Sequence, residues 1–286
     1  MDLIIIFSLI ILGMFIGLIS GLLGIGGGFI LVPVLIYLFD FMGVPDDISV
    51  KMAVGTSLFI IFLTSIAGTH KHSLNKNIVW RCSVILGLFG IIGSVVGVKI
   101  VVNYLSGNLH KALFGIFLIF ISLYILHRNF KSKNKLERKN NEMDDSSDCG
   151  INYNGSDYSI DYKNVGIVGF LTGLLSSIFG IGGGIIVVPF LNLFLKFPIK
   201  LAIGTSLGMM IIVSFTGLLG YIFSPYPFEH NLYNIGYVSL LTGLIISPTA
   251  MLFSKYGAKL AYGIKPDILR NVMSIILMIV GIKMII

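Results

Sequence analysis

A five-residue glycine motif occurs twice in the chain and has the residue types of a binding site built from backbone. Gly-Ile-Gly-Gly-Gly spans residues 24–28 and 180–184, and each copy is followed by a Val-Pro pair. Glycine weakens helices and proline stops or kinks them, so each copy predicts a broken helix. A helix that restarts after a break presents N–H groups with partial positive charge, which bind anions without a cationic side chain. The predicted anion-binding glycines are Gly26, Gly27, Gly28, Gly182, Gly183 and Gly184.

A second repeated motif, Gly-Thr-Ser-Leu, adds hydroxyl groups at residues 55–58 and 204–207. A hydroxyl donates to an oxyanion while staying neutral, which avoids the cost of burying a charge. The predicted hydroxyl donors are Thr56, Ser57, Thr205 and Ser206. Two structural alternatives stay open at this point. The glycines could serve close helix packing, and the hydroxyls could bond to carbonyls of their own helices.

Several other kinds of chemistry lack their residues in this sequence. No Asp or Glu lies near the centre of a predicted helix, which argues against a cation pump coupled to carboxylates. The glycine motifs are not followed by Lys-Ser or Lys-Thr, and no metal-ligand spacing or nucleophile constellation stands out. The two cysteines, Cys82 and Cys149, form no framework. We therefore expect a protein that is not an enzyme and uses neither a cofactor nor a metal.

The composition is that of a membrane protein. Hydrophobic residues make up 56% of the 286 residues and charged residues only 12%, whereas soluble domains are about a quarter charged. The formal net charge of +7 comes mainly from basic residues at the ends of apolar segments. That position indicates orientation in a lipid bilayer rather than binding of nucleic acid.

Each half of the chain contains five apolar segments in the same order. They cover residues 3–24, 27–42, 50–69, 78–103 and 109–127, then 165–179, 183–195, 201–223, 235–254 and 268–286. The first two segments of each half meet at the glycines, either as two thin crossings or as a re-entrant pair. We therefore predict an all-α polytopic membrane protein of two repeats, each with a glycine-rich broken or re-entrant helix pair and three full transmembrane helices.

The distribution of basic residues predicts how the repeats are oriented. The first transmembrane repeat covers residues 1–127, a polar linker covers 128–163 and the second repeat covers 164–286. If the linker is cytoplasmic, four regions on that side hold sixteen of the 20 lysines and arginines. Matching loops of the two halves then lie on opposite sides of the membrane. The repeats are accordingly predicted to be inverted, with both termini outside.

The paired motifs resemble those of the sulfite exporter TauE/SafE family. The resemblance lies in Gly21–Pro33 and Ser176–Pro189, together with Ala53–Ser57 and Ala202–Ser206, and it covers both halves but not the linker. It implies a membrane permease for small anions such as sulfite or organosulfonates. Relatives that import thiosulfate use membrane cysteines, and Cys82 alone does not reproduce such a relay.

The expected function is that of a secondary transporter in the cell membrane. It would export a small anion by alternating access around a central site at the paired breaks, with a proton as one candidate coupling ion. The alternatives are an anion channel of the same fold and a cation or metal permease. Saturation and counterflow distinguish a carrier from a channel, and a cation permease would favour central carboxylates or histidines.

Overall fold

The fold is mostly helical, as the apolar segments predict. The computed structural model describes residues 3–23, 27–133, 150–153, 156–159, 162–226, 234–261 and 266–285. The helices in these residues are α1 Leu3–Leu23, α2 Gly28–Phe41, α3 Asp46–Leu74, α4 Trp80–Tyr104, α5 Gly107–Lys133, α6 Tyr162–Phe179, α7 Gly184–Leu193, α8 Ile199–Ile222, α9 Leu240–Ala261 and α10 Pro266–Ile285. The strands are β1 Gly150–Tyr153, β2 Ser156–Ser159, β3 Asn234–Ile235 and β4 Val238–Ser239.

Two short antiparallel hairpins were not predicted from the apolar pattern. The hairpin of β1 and β2 lies in the polar linker, where the sequence Asn-Gly separates the two strands and favours such a pairing. The hairpin of β3 and β4 occupies the start of a predicted helical segment, so α9 begins at Leu240 rather than at residue 235. The N–H of Tyr237 donates to the carbonyl of Tyr221 over 3.0 Å, which fixes this hairpin to the end of α8.

The described helices have the length and surface of membrane-embedded elements. Four described stretches are long and apolar enough to cross a bilayer: Asp46–Leu74, Trp80–Tyr104, Gly107–Leu126 and Ile199–Ile222. Exposed apolar side chains recur at helical spacing, as at Phe7, Ile11 and Phe15 of α1. Such faces are unfavourable in water and suit contact with acyl chains. The protein is therefore a membrane protein.

Helices α2 and α7 are too short to cross a bilayer alone. They contain 14 and 10 residues, which corresponds to lengths of about 21 and 15 Å. The hydrocarbon core of a bilayer is about 30 Å thick. Each of these helices also contains the proline of its Val-Pro pair, Pro33 or Pro189, which removes one helix hydrogen bond.

The two halves exchange helices. Helix α1 of the first half packs along α9 of the second, and the corresponding α6 packs along α4. Glycines allow these backbones to approach closely. A Cβ on Gly17 would lie 2.5 Å from the carbonyl oxygen of Ala250, and one on Gly169 would lie 2.6 Å from that of Leu86. Neither half therefore buries its own first helix.

Corresponding helices that touch each other run antiparallel. On α3 and α8, Gly68 faces Leu207 whereas Leu58 faces Gly217, so the residue numbers rise in opposite directions. The same holds for α5 and α10. There Gly115 meets Gly281. About two turns later on α5, the hydroxyl of Ser122 donates to the carbonyl of Ser274, which precedes Gly281 on α10, over 2.7 Å.

Helices α3 and α8 form the centre of the molecule. Of the four long membrane stretches they are the most buried, at 61% and 67%, against 44% for α4 and 33% for α5. They carry the two Gly-Thr-Ser-Leu motifs. The predicted hydroxyl donors are therefore positioned in the middle of the protein rather than against lipid.

Candidate functional site

The second glycine motif forms the break between α6 and α7. Gly180, Gly182 and Gly183 have φ values of 66°, 71° and 85°, in the left-handed region that favours glycine. All three residues are buried. This backbone path explains why the motif needs several glycines, because close packing alone does not require positive φ.

The first glycine motif is described from Gly27 onward. Gly27 has a φ of 69°, matching its counterpart Gly183, and immediately precedes α2. A Cβ on Gly27 would lie 3.1 Å from atoms of both Ile16 and Ser20 on α1. The predicted site residue Gly26 lies outside the described residues.

Both breaks present uncapped helix N-termini. Gly27 and Gly183 are the N-cap residues of α2 and α7, and neither has a side chain to cap the helix. Their carbonyls accept hydrogen bonds from the third and fourth helical N–H groups, for example those of Ile186 and Val187 at 3.1 Å. The first two N–H groups of each helix precede any intrahelical acceptor. They give each break a partial positive charge inside the protein.

The two breaks lie against each other. A Cβ on Gly28 would lie 2.5 Å from the Gly180 carbonyl oxygen and 2.8 Å from Cα of Ile181. The side chain of Ile61, on α3, lies 2.7 Å from the Cβ positions of both Gly28 and Gly182. The structure thus brings together the glycines that the sequence separates by about 150 residues.

Ser57 binds the second break directly. Its hydroxyl lies 2.8 Å from two carbonyl oxygens, those of Gly180 at the break and Val54 on its own helix. A hydroxyl has one hydrogen, so these two acceptors share it. The structure therefore places Ser57 at the second break with its proton directed to the protein backbone, and its predicted contact with a substrate stays a prediction.

Two further side chains bind the carbonyl end of α6. The hydroxyl of Tyr221 donates to the Ser177 carbonyl over 2.9 Å. Nε2 of His110 lies 2.6 Å from the Ile178 carbonyl, and it must carry the hydrogen because a carbonyl only accepts. Both side chains are buried. They satisfy carbonyls that a broken helix leaves without intrahelical partners.

Thr56 and Thr205 bind backbone of the other half of the protein. The N–H of Ser239, just before α9, donates to Oγ1 of Thr56 over 3.0 Å. The N–H of Val79, just before α4, donates to Oγ1 of Thr205 over the same distance. Each threonine thus satisfies an N–H at the start of a helix from the opposite half. Their hydroxyl hydrogens remain free to donate.

Ser206 bonds within its own helix. Its hydroxyl donates to the Ile203 carbonyl over 2.9 Å, the local alternative noted from the sequence. Ser57 bonds to Gly180 of the second break. The residue of the first break that corresponds to Gly180, and that Ser206 would bond to by symmetry, is Gly24, which lies outside the described residues.

Sequence reasoning missed four residues that line the breaks. Ile61 and Met210 are repeat-matched and contact Gly182. They come four residues after Ser57 and Ser206, so helical periodicity could have placed them on the same face. Thr172 and Ser176 of α6 are fully buried, and Thr172 contacts Gly183. The match of Ser176 to Ser20 was visible in the sequence.

The charge at the site comes from backbone. Among residues whose side chains the structure describes, the buried polar ones are serines, threonines, Tyr221, Tyr237 and His110, and none is Asp, Glu, Lys or Arg. The described residues also contain no group of three His, Cys, Asp or Glu side chains that could hold a metal ion. The arrangement can therefore attract an anion through N–H dipoles and hydroxyls.

Comparison with known proteins assigns the family. The profile of the family described as "Sulfite exporter TauE/SafE" matches residues 9–284. The chain is 36% identical to the "Probable membrane transporter protein MJ0441" of Methanocaldococcus jannaschii over 276 residues, covering 96% of this chain and 94% of the relative. It is 30% identical to the "Probable membrane transporter protein YunE" of Bacillus subtilis over 285 residues, covering 97% and 96%.

A third relative comes from Haemophilus influenzae. This "Probable membrane transporter protein" is 29% identical over 277 residues, with 96% of each chain covered. No solved structure matches the chain significantly. On the family profile and these nearly full-length similarities, the chain belongs to the sulfite exporter TauE/SafE family and is a membrane transporter, not an enzyme.

Proposed function

We propose that the chain is a secondary transporter in the cell membrane that exports a small anion such as sulfite or an organosulfonate. The observation that carries the proposal is a pair of glycine breaks that pack against each other, each followed by an uncapped helix N-terminus: Gly28, the first residue of α2, lies against Gly180 and Ile181 of the break before α7. Backbone N–H groups at such ends bind oxyanions, and burial strengthens the interaction by excluding water. The family description names sulfite for the family as a whole.

The absence of a buried counter-charge supports an anion over a cation. Within the described side chains no carboxylate is buried, so no negative group offsets the N–H dipoles. The carbonyls at the end of α6, which could bind a cation, are occupied by Ser57, Tyr221 and His110. The site thus offers donors and few free acceptors.

Alternating access follows from inverted repeats. The antiparallel pairs of corresponding helices, α3 with α8 and α5 with α10, are those that a two-fold axis in the membrane plane would relate. The exchange of α1 and α6 between the halves has the same symmetry. In such a fold the halves adopt two conformations in turn, and each conformation opens the site to one side. In this proposal α1 with α2, and α6 with α7, form the re-entrant pairs, because neither α2 nor α7 is long enough to span the bilayer.

Flux measurements test this proposal. Purified protein in liposomes should take up sulfite and sulfoacetate with saturation, and loading the liposomes with substrate should accelerate uptake by counterflow. Taurine, whose amine cancels the sulfonate charge, and nickel should enter no faster than in protein-free liposomes. Flux that rises linearly with concentration and lacks counterflow would identify a channel. Transport of nickel alone would contradict an anion site.

A further inference from the structure

Two buried hydroxyls at the second break lack a partner. Thr172 and Ser176 are both 0% exposed, and neither Oγ1 of Thr172 nor Oγ of Ser176 has a hydrogen-bond partner. We propose that these two hydroxyls bind the oxygen atoms of the transported oxyanion, so that the second break rather than the first holds the anionic group. This inference rests on the proposed transport of an anion.

Four buried hydroxyls of the described residues lack a partner, those of Ser65 and Thr69 on α3 and those of Thr172 and Ser176 on α6, and only the last two belong to a helix that ends at a glycine break. Buried serines on membrane helices commonly donate to a carbonyl three or four residues earlier. The described side chains that do so include Ser57, Ser206, Ser214 and Ser247. Thr172 and Ser176 do not, although α6 offers the same carbonyls. A buried hydroxyl without a partner is destabilising, and a ligand that accepts its hydrogen removes that cost.

The residues that carry the two hydroxyls lie at the break before α7. The methyl carbon Cγ2 of Thr172 contacts Gly183, the N-cap residue of α7. Ser176 follows Thr172 by one helical turn, and its carbonyl accepts the N–H of Gly180 over 2.7 Å at the break itself. The first N–H groups of α7, on Gly184 and Ile185, begin at the same glycine. Two hydroxyls and two N–H groups thus belong to residues that meet at one break.

The first break does not reproduce this set of donors. The position that corresponds to Thr172 is Ile16, and its Cγ2 lies 3.1 Å from the Cβ position of Gly27. An isoleucine offers no donor, so an oxyanion gains fewer hydrogen bonds there. Gly27 and Gly183 share a left-handed backbone, whereas Ile16 and Thr172 differ in their capacity to donate. The substrate class that fits is a small oxyanion whose several oxygens accept hydrogen bonds from two hydroxyls and two N–H groups.

Removing each hydroxyl should weaken substrate binding without harming the fold. Thr172→Val and Ser176→Ala should each raise the KM for sulfite and sulfoacetate by about two- to twelvefold in proteoliposomes. The apparent Tm should stay the same or rise, because no protein hydrogen bond is lost. Thr172→Ser keeps the donor and should bring KM back towards the wild-type value.

Ser122→Ala is the control, because it should change the apparent Tm and not the KM. Its hydroxyl is buried and bonded to the Ser274 carbonyl between α5 and α10, away from the breaks. This variant should lower the apparent Tm and leave KM within twofold of wild type. If Thr172→Val and Ser176→Ala keep wild-type KM, or lower the Tm as Ser122→Ala does, the hydroxyls are not ligands. That result would leave the proposed transport intact, since wild-type flux remains. Absence of any oxyanion flux in the wild type would instead overturn the transport proposal.

Discussion

Thr56 and Thr205 show how one residue type can join two halves of a chain. Each is buried and accepts a backbone N–H from the segment that precedes a helix of the opposite half. These contacts occupy the acceptor side of each hydroxyl. The donor side is still available, so the predicted contact of these threonines with an anion stays a prediction.

Replacing either threonine by valine should destabilise the protein. Thr56→Val or Thr205→Val leaves the N–H of Ser239 or Val79 buried without an acceptor, which costs about 1–3 kcal/mol. The apparent Tm of the purified protein in detergent should fall. Serine at either position keeps the oxygen and should retain most of the stability. A valine variant as stable as wild type would contradict the structural role of that threonine.

The sequence predicted the residue types at the site better than their contacts. The repeated motifs identified the glycines and Ser57, because a duplicated break has a recognisable composition. They did not reveal that Thr56 reaches Ser239, since that contact joins residues far apart in the chain and depends on how the halves dock. Thr172 was missed because its repeat partner, Ile16, is apolar.

At the scale of elements, the break between α6 and α7 depends on backbone that only glycine can follow. Gly183 and Gly43 have nearly the same φ, 85° and 82°. A Cβ on Gly183 would collide with Thr172, whereas a Cβ on Gly43 would meet nothing within 4 Å. Comparing substitutions at Gly183 and Gly43 therefore distinguishes the effect of crowding at the break from the effect of a positive φ alone.

Alanine at these two glycines should give different results. Both variants carry a left-handed alanine, at a cost of about 1–2 kcal/mol. Gly183→Ala should lose about 1–3 kcal/mol more through overpacking, with reduced sulfite flux. Thermal unfolding and proteoliposome flux measure the two effects. The interpretation fails if Gly43→Ala and Gly183→Ala lower the Tm and the flux equally.

Hydropathy predicted which elements exist but not all of their ends. The ten described helices match the ten apolar segments, since burial in lipid leaves a strong compositional signal. The hairpin of β3 and β4 was missed because it is short and its apolar residues Ile235 and Val238 join directly onto the apolar run of α9. Its position depends on the carbonyl of Tyr221, which no local pattern indicates.

At the scale of the whole molecule, the orientation of the halves can be tested with accessible tags. A tag inserted near residue 141 of the linker should react only from the cytoplasm, and a tag after residue 286 only from outside. The reason is the accumulation of lysines and arginines on one side. Labelling intact and permeabilised cells measures both. Finding the two tags on the same side would contradict inverted repeats.

The exchange of helices between the halves also has a consequence for biosynthesis. Helix α1 ends at Leu23, and its partner α9 begins 217 residues later, at Leu240. At about 5–20 residues per second, the ribosome needs roughly 10–40 s to make that stretch. During this time the glycine face of α1 has no partner and must be held by lipid or by the insertion machinery. Helix α1 therefore reaches its final place only after most of the chain that follows it has been made.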